Sequence, residues 1–299
     1  MRNLILCLAL GAAASSAFAL TNEDLAANTW MPLEEQTESS CELPAMIDFH
    51  KDGTLSSEPG CNTMSGRYKI GEDGKIEFTE MANPMAFVKN PRQAWGFYGH
   101  RLNQYRQTKP HAGFDILKKL GESRPLGYFV FTSNVDGQFQ KAGFDPAIIA
   151  ECHGSIHHLQ CQDSCTGAIW EADDLQVEVD TENCLLTSEL PVCPECRSLA
   201  RPNILMFNDW GWIGERTEWQ IAKLNQWYHR TKKMAVIELG AGIHVPTVRR
   251  VCESFNVPMI RINPGEPQVR SNNDVSLPLG ALEALEQIYS EFQTLNNRS

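Results

Sequence analysis

The sequence predicts an α/β protein: a doubly wound parallel sheet that carries a small four-cysteine module, with an antiparallel β segment in front. Three observations predict it. From residue 81 onward, strand-length apolar runs alternate with amphipathic helical stretches, as in parallel strands joined by crossover helices. Before residue 81, short runs are separated only by turn residues, as in hairpins. Inside the α/β part, the close pairs Cys161/Cys165 and Cys193/Cys196 flank an insert, a spacing that lets two tight turns face one ion.

Taken in order, residues 1–19 read as a secretory signal. Arg2 supplies the positive end, residues 4–13 the apolar stretch, and Ala17-Phe18-Ala19 a small-x-small cleavage site. That implies export to a periplasm or to the outside. The apolar stretch is too short to span a bilayer, and no other segment could do so. Residues 20–80 hold strands at 46–49, 66–70 and 75–78, separated by Lys51-Asp52-Gly53, Pro59-Gly60 and Glu72-Asp73-Gly74. Beyond residue 81, Trp95, Tyr98, Leu102 and Tyr105 recur at helical spacing and predict a helix over 94–106. A second helix follows at 112–121 and an apolar strand at 127–131. Strands at 204–207, 235–239 and 259–262 then alternate with helices at 215–230 and 245–255, and a helix at 281–292 closes the chain.

Composition narrows the partners. The chain has 299 residues, 42% hydrophobic and 21% charged, ordinary for a globular protein with a real core. Its net charge is -11, and the acidity is heaviest in the first eighty residues. No basic stripe is present, so a nucleic-acid partner is not expected.

Four groups of residues could carry chemistry. Cys161, Cys165, Cys193 and Cys196 offer four thiolates to a tetrahedral zinc ion, Pro194 stiffening the second turn. Export would favour disulfides instead, and both readings stand on the sequence. Cys152 and Cys184 are left over as ordinary cysteines. His153, between a cysteine and a glycine, is a candidate general base, whereas His157 and His158 read as a polar strand edge. Asn134 and Asp136 lie just past the end of an apolar strand, where doubly wound sheets bind ligands. Gly240-Ala241-Gly242 also follows a strand, although so short a glycine cluster is weak evidence by itself.

The run Thr132-Ser133-Asn134-Val135-Asp136-Gly137, then Cys152-His153-Gly154-Ser155, then the two cysteine pairs, resembles the catalytic and zinc-binding region of sirtuins, the NAD-dependent protein deacylases. Ser133 stands where the family usually has glutamine. Gly240 and Ala241 match by order the family's later glycine loop, and Asn263-Pro264-Gly265-Glu266 its Asn-Pro-Gly-Glu segment. Both would contact the adenosine side of NAD. Residues 204–209 resemble the stretch bordering the acyl-lysine channel, with Phe207 kept and Asn208-Asp209 in place of Gly-Glu. Asp274 is a weak counterpart of a final acidic contact. Residues 20–80, through Trp30, Phe49 and the Gly60-Cys61-Asn62-Gly66 cluster, resemble the first half of a META domain, which implies a fold and no chemistry.

This resemblance implies three parts: the signal at 1–19, a partial META-like domain at 20–80, and a sirtuin-like domain at 81–299 with its zinc module at about 152–200. Met81-Ala82 marks the joint. It implies structural zinc on the four cysteines, NAD held by Asn134, Asp136, Gly240, Ala241, Asn263 and Glu266, and an acylated lysine of a protein or peptide as partner. The acyl oxygen would attack the nicotinamide ribose, with His153 deprotonating a ribose hydroxyl. A sirtuin also opens with a strand and a Gly-Ala-Gly-x-Ser turn at the pyrophosphate. Residues 1–80 contain no such run. The doubly wound (Rossmann-like) sheet is therefore expected to be incomplete and turnover impaired. A non-catalytic zinc-binding fusion and an exported META-type stress protein are the alternatives.

Overall fold

The computed structural model describes residues 21–27, 29–30, 46–58, 64–70, 76–79, 84–206, 209–243 and 245–296. The signal read at 1–19, the turns at 59–60 and 72–74, and Phe207 and Asn208 lie outside them.

Five strands pair in chain order, each antiparallel to the next: Thr29–Trp30, Met46–Phe49, Thr54–Glu58, Met64–Ile70 and Ile76–Thr79. Gly53 makes the second turn possible. Its φ of +80° lies in the left-handed region, and its amide and carbonyl bond His50 and Tyr68. The helix Asn22–Ala26 begins in a capping box between Thr21 and Asp24. It lays Leu25 against Phe49, Leu55 and Tyr68, which form the core of this sheet. The Phe49 and Tyr68 rings meet edge to face at 4.8 Å.

The helix Pro91–Gln107 organises the next layer. Proline at its first position loses no hydrogen bond there, and the apolar stripe buries Trp95, Tyr98 and Leu102. The Trp95 indole N–H donates to the Ala200 carbonyl at 2.9 Å. Its glycines face the hairpin Val179–Asp180/Leu185–Leu186, because a Cβ at Gly96 would lie 2.1 Å from the Cys184 carbonyl oxygen. A second core forms where Ile116 of helix Ala112–Glu122 and Ala284 and Leu285 of helix Ala281–Asn296 meet Ile262.

The parallel strands come in two groups. Val130–Thr132 pairs with Ile149–Glu151, and Val236–Leu239, Met259–Ile262 and Val275–Leu277 pair in that order. Among the described residues no strand joins the groups. Val130–Thr132 is half-buried throughout, as is all of Val236–Leu239 except Glu238, although parallel strands are normally covered on both faces.

One expected strand is corrected. The run at 204–207 does not continue the parallel sheet. The strand is Ala200–Ile204, antiparallel to Gly154–Cys161 and part of the cysteine module. All five of its residues are buried, so no alternation marks its direction or partner. His157 and His158 likewise lie inside the strand Gly154–Cys161, not at its edge.

Candidate catalytic and metal sites

Strand geometry delivers the four cysteines. Cys161 ends Gly154–Cys161, Cys193 follows the Val192–Leu199 bridge, and each pair is closed by a non-glycine residue in the left-handed region, Ser164 (φ 48°) and Arg197 (φ 64°). All four Sγ atoms lie within 4.8 Å of one another, with Cys161 to Cys196 at 3.6 Å and Cys165 to Cys193 at 3.7 Å. A tetrahedral ion bound at ~2.3 Å holds its sulfurs ~3.8 Å apart, whereas a disulfide needs ~2.05 Å. The residues therefore fit zinc, and the four thiols are free. Hydrogen bonds from Ser198 draw the Cys196 thiol down to about 6, while its hydrogen bond with Cys196 pushes the Cys165 thiol up to about 12, so the crowded sulfurs do not ionise alike.

His153 lies at the C-terminal end of the parallel strand Ile149–Glu151, in the turn that enters Gly154–Cys161. Three backbone bonds fix this turn. The Cys152 amide donates to the Thr132 carbonyl, the Ile156 amide to the Val135 carbonyl and the Leu205 amide to the His153 carbonyl, each at 2.9 Å. The first two tie the histidine turn to the loop that carries Asn134 and Asp136. Gly154 is required beside it: φ is +78°, and a Cβ would sit 2.1 Å from the Asn203 carbonyl oxygen. His153 is half-buried, and its ring makes no hydrogen bond to the described residues. Burial disfavours its cation and draws its pKa below the usual 6.5, leaving a neutral acceptor at pH 7.

Asn134 is exposed, with its amide bonded to Thr132 Oγ1 at 3.0 Å. The Asp136 carboxylate accepts the Gln138 amide at 3.0 Å, and its carbonyl lies 3.0 Å from His157 Nε2. Gln138, which sequence reasoning passed over, is buried with Nε2 on the Tyr105 carbonyl and Oε1 without a partner.

The remaining expected nucleotide residues form a second cluster, past the ends of Val236–Leu239 and Met259–Ile262. Gly240 turns at φ +62° with open space at its Cα. Asn263 Nδ2 donates to the Ala241 carbonyl at 3.1 Å, and Asn263 Oδ1 accepts the amides of Gly265 and Glu266. Glu266 accepts the Ile243 amide at 2.8 Å, and Arg249 Nη2 donates to the carbonyls of both Ala241 and Glu266. Asn263 and Glu266 thus spend their side chains tying the two turns together. Arg249 shares this work and could have been suspected only as a helix residue facing a turn. All four turns follow the C-terminal ends of parallel strands, where such sheets take their ligands. A dinucleotide therefore fits the placement of these residues.

Two expected counterparts serve the scaffold. Asp274 accepts the Met259 amide at 3.0 Å. Asp209 forms a two-point pair with Arg201, both bonds at 2.8 Å and both side chains at 0% exposure.

Known proteins are similar to much of this chain. A sequence profile of the Sir2 family matches residues 63–246, and one of the META domain matches residues 23–95. An NAD-dependent protein deacylase of Aquifex aeolicus is 28% identical over 243 residues, covering 79% of this chain and 90% of that protein. One of Pyrococcus furiosus is 34% identical over 155 residues, covering 52% of this chain and 58% of its own length. Among solved structures, a mutant Sir2 homologue complexed with ADP-ribose superposes with a TM-score of 0.56 at 22% identity, covering 73% of this chain and 80% of that one. A Sir2 homologue–NAD complex does so at 0.52 and 21%, covering 71% and 76%. Among the described residues no helix is long and apolar enough to cross a membrane.

Proposed function

This chain belongs to the Sir2 family, and on that premise we propose that it is an NAD-dependent protein-lysine deacylase in which His153 is the general base. The observation that carries this reading is the backbone-locked, neutral, unpartnered imidazole at the ends of two parallel strands, bonded through its turn to the Asn134–Asp136 loop. Bound NAD would supply an ADP-ribosyl electrophile with nicotinamide as leaving group. His153 accepts a ribose hydroxyl proton. Asn134 and Asp136 border the nicotinamide end, and the Gly240–Ala241 and Asn263–Glu266 turns hold the adenosine end. Zinc on Cys161, Cys165, Cys193 and Cys196 is structural, since all four positions are filled by thiolates. The partner is an acylated lysine in a protein or peptide, and the acidic chain takes no nucleic acid.

Turnover in this chain is weak, because residues 1–80 carry no glycine-rich pyrophosphate turn and misplacement by about 1 Å can cost 100-fold. The joint between the META-like and Sir2-like parts falls near residue 81, within the stretch 63–95 that both profiles match. A non-catalytic zinc-binding fusion is the second reading, favoured by the half-buried parallel edges. The signal at 1–19 sends the chain from the cytosol to a compartment where NAD and reduced thiols are scarce; fractionation of cells producing the full chain tests that placement. Nicotinamide release from NAD with an acetyl-lysine peptide tests the function, comparing the chain, its His153→Ala variant, and a version with a Sir2-type first strand and turn appended. Slow release that rises with the appended segment and vanishes with His153→Ala supports it. No release from the appended version would leave the zinc-binding reading.

A further inference from the structure

The ring of His157 meets the loop that carries Asn134 and Asp136. Its Nε2 lies 3.0 Å from the Asp136 carbonyl oxygen. A carbonyl oxygen only accepts, so Nε2 carries a proton and donates it. The backbone of His157 is itself held on both sides. Its amide donates to Ser155 Oγ at 3.2 Å, and its carbonyl accepts the Ala172 amide at 2.9 Å. The imidazole therefore projects from a fixed base in the strand Gly154–Cys161.

The loop is shaped to receive it. Gly137 turns at φ +68°, and a Cβ there would lie 2.7 Å from His157 Cδ2 and 2.9 Å from Nε2. The imidazole fills the place where any other residue would carry its side chain. Two consecutive carbonyls of the loop are thus bonded to two consecutive residues of the strand. Val135 accepts the Ile156 amide at 2.9 Å, and Asp136 accepts the His157 ring. The first bond is open to any residue except proline at position 156. The second needs a side chain with a donor at the reach of Nε2. On its other side Asp136 is tied within its own turn, one carboxylate oxygen accepting the Gln138 amide at 3.0 Å. His157 supplies the side-chain hold from outside the loop.

We propose that His157 is a positioning residue, which sets the Asp136 backbone and with it the Asn134–Asp136 loop for the nicotinamide end of NAD. This rests on the deacylase reading and deepens it by naming the residue that orders that end of the site. His157 acts through Asp136 and not on the reacting atoms. One neutral hydrogen bond is worth about 3- to 10-fold in an equilibrium, and that is the effect expected on NAD binding.

The test needs no turnover. Calorimetry compares NAD with ADP-ribose, which lacks nicotinamide, on the full zinc-loaded chain and its His157→Phe, His157→Asn and His157→Gln variants. Phenylalanine keeps a ring without a donor, asparagine offers its amide at the place of the other ring nitrogen, and glutamine offers one near the place of Nε2. His157→Phe and His157→Asn should weaken NAD by about 3- to 10-fold and leave ADP-ribose in place. His157→Gln should restore NAD binding. In protein labelled with 15N-histidine, the signal lost in His157→Gln should show a protonated Nε2. Thermal melts confirm that the variants fold. Unchanged NAD affinity in His157→Phe, or an unprotonated Nε2, overturns the proposal and leaves the deacylase reading standing. A loss of NAD and ADP-ribose affinity together, without rescue by His157→Gln, marks a structural role and overturns it as well. If the unaltered chain binds neither ligand, the deacylase reading fails and the role of His157 with it.

Discussion

The cysteine module and the parallel strands beside it use the same kind of sequence to different ends. The module is closed: Ala200–Ile204 is buried at every residue, Gly154–Cys161 at all but His157 and His158, and four sulfurs converge on one point. The parallel strands form two separate groups, with half-buried strands at Val130–Thr132 and Val236–Leu239. The difference teaches where burial is complete: the two long strands of the module are covered, while the strands that lead into the nucleotide turns are half-buried, and the His153 turn is tied to both regions. Each cysteine pair of the metal site is set by residues close in the chain, although the two pairs meet through the pairing of Ala200–Ile204 with Gly154–Cys161. A parallel sheet depends on strands far apart, so a change at one end of the sequence leaves edges elsewhere.

The comparison is broken most forcefully through the metal. Elemental analysis of cytosolically produced protein should show about one zinc per chain. Stripping it with a chelator should collapse amide protection in Gly154–Cys161 and Ala200–Ile204, since a structural zinc site contributes ~10 kcal/mol or more. Retained protection without metal would contradict the closed-module account. Next in size, His153→Ala should lower nicotinamide release by about 100- to 10,000-fold while leaving the melting curve in place. A parallel loss of stability would show that the residue serves the fold.

Asp209→Ala leaves Arg201 buried without its partner and should cost about 3–5 kcal/mol in denaturant melts. The double replacement Arg201→Met/Asp209→Leu should recover most of that, because what is removed is an uncompensated charge. On the open side, hydrogen exchange should find alternate amides of Val130–Thr132 and Val236–Leu239 exchanging far faster than those of the module. Appending a Sir2-type first strand should slow them. Equal protection in both regions would erase the contrast drawn here.

The smallest effect is a pH dependence. Burial, with Arg216 nearby, pulls His158 down to about 4. Its folded pKa lies below its unfolded value of about 6.5, so the native state binds fewer protons. Stability should be full above pH 6.5 and should fall as pH drops from 6.5 toward 4. His158→Gln should flatten that slope, as measured by melts across the range. By the same sign, the acid limb of any activity owed to His153 should lie below 6.5.

Periodicity and turn chemistry were enough for the elements that depend on them. The helix expected at 215–230 is Glu215–Arg230, the strand at 259–262 is Met259–Ile262, and Trp95, Tyr98 and Leu102 are buried as their spacing required. Cysteine spacing alone placed four thiolates together, because two short turns can present two ligands each with little help from the rest of the chain. The His-Gly pair was legible as a motif, although the reason for its glycine, the Asn203 carbonyl 2.1 Å from any Cβ, is a tertiary contact. Ala200–Ile204 was misplaced because a strand buried on both faces carries no record of which neighbour it joins or in which direction. The pairing of Asp209 with buried Arg201 could not be read from the sequence, and Arg261 closes on Glu238 in the same hidden way. The carbonyls of Gly211 and Ile213 are held by Gln160, Ser164 and Asn203 from separate strands and turns, and pairings of that kind arise only when distant segments meet.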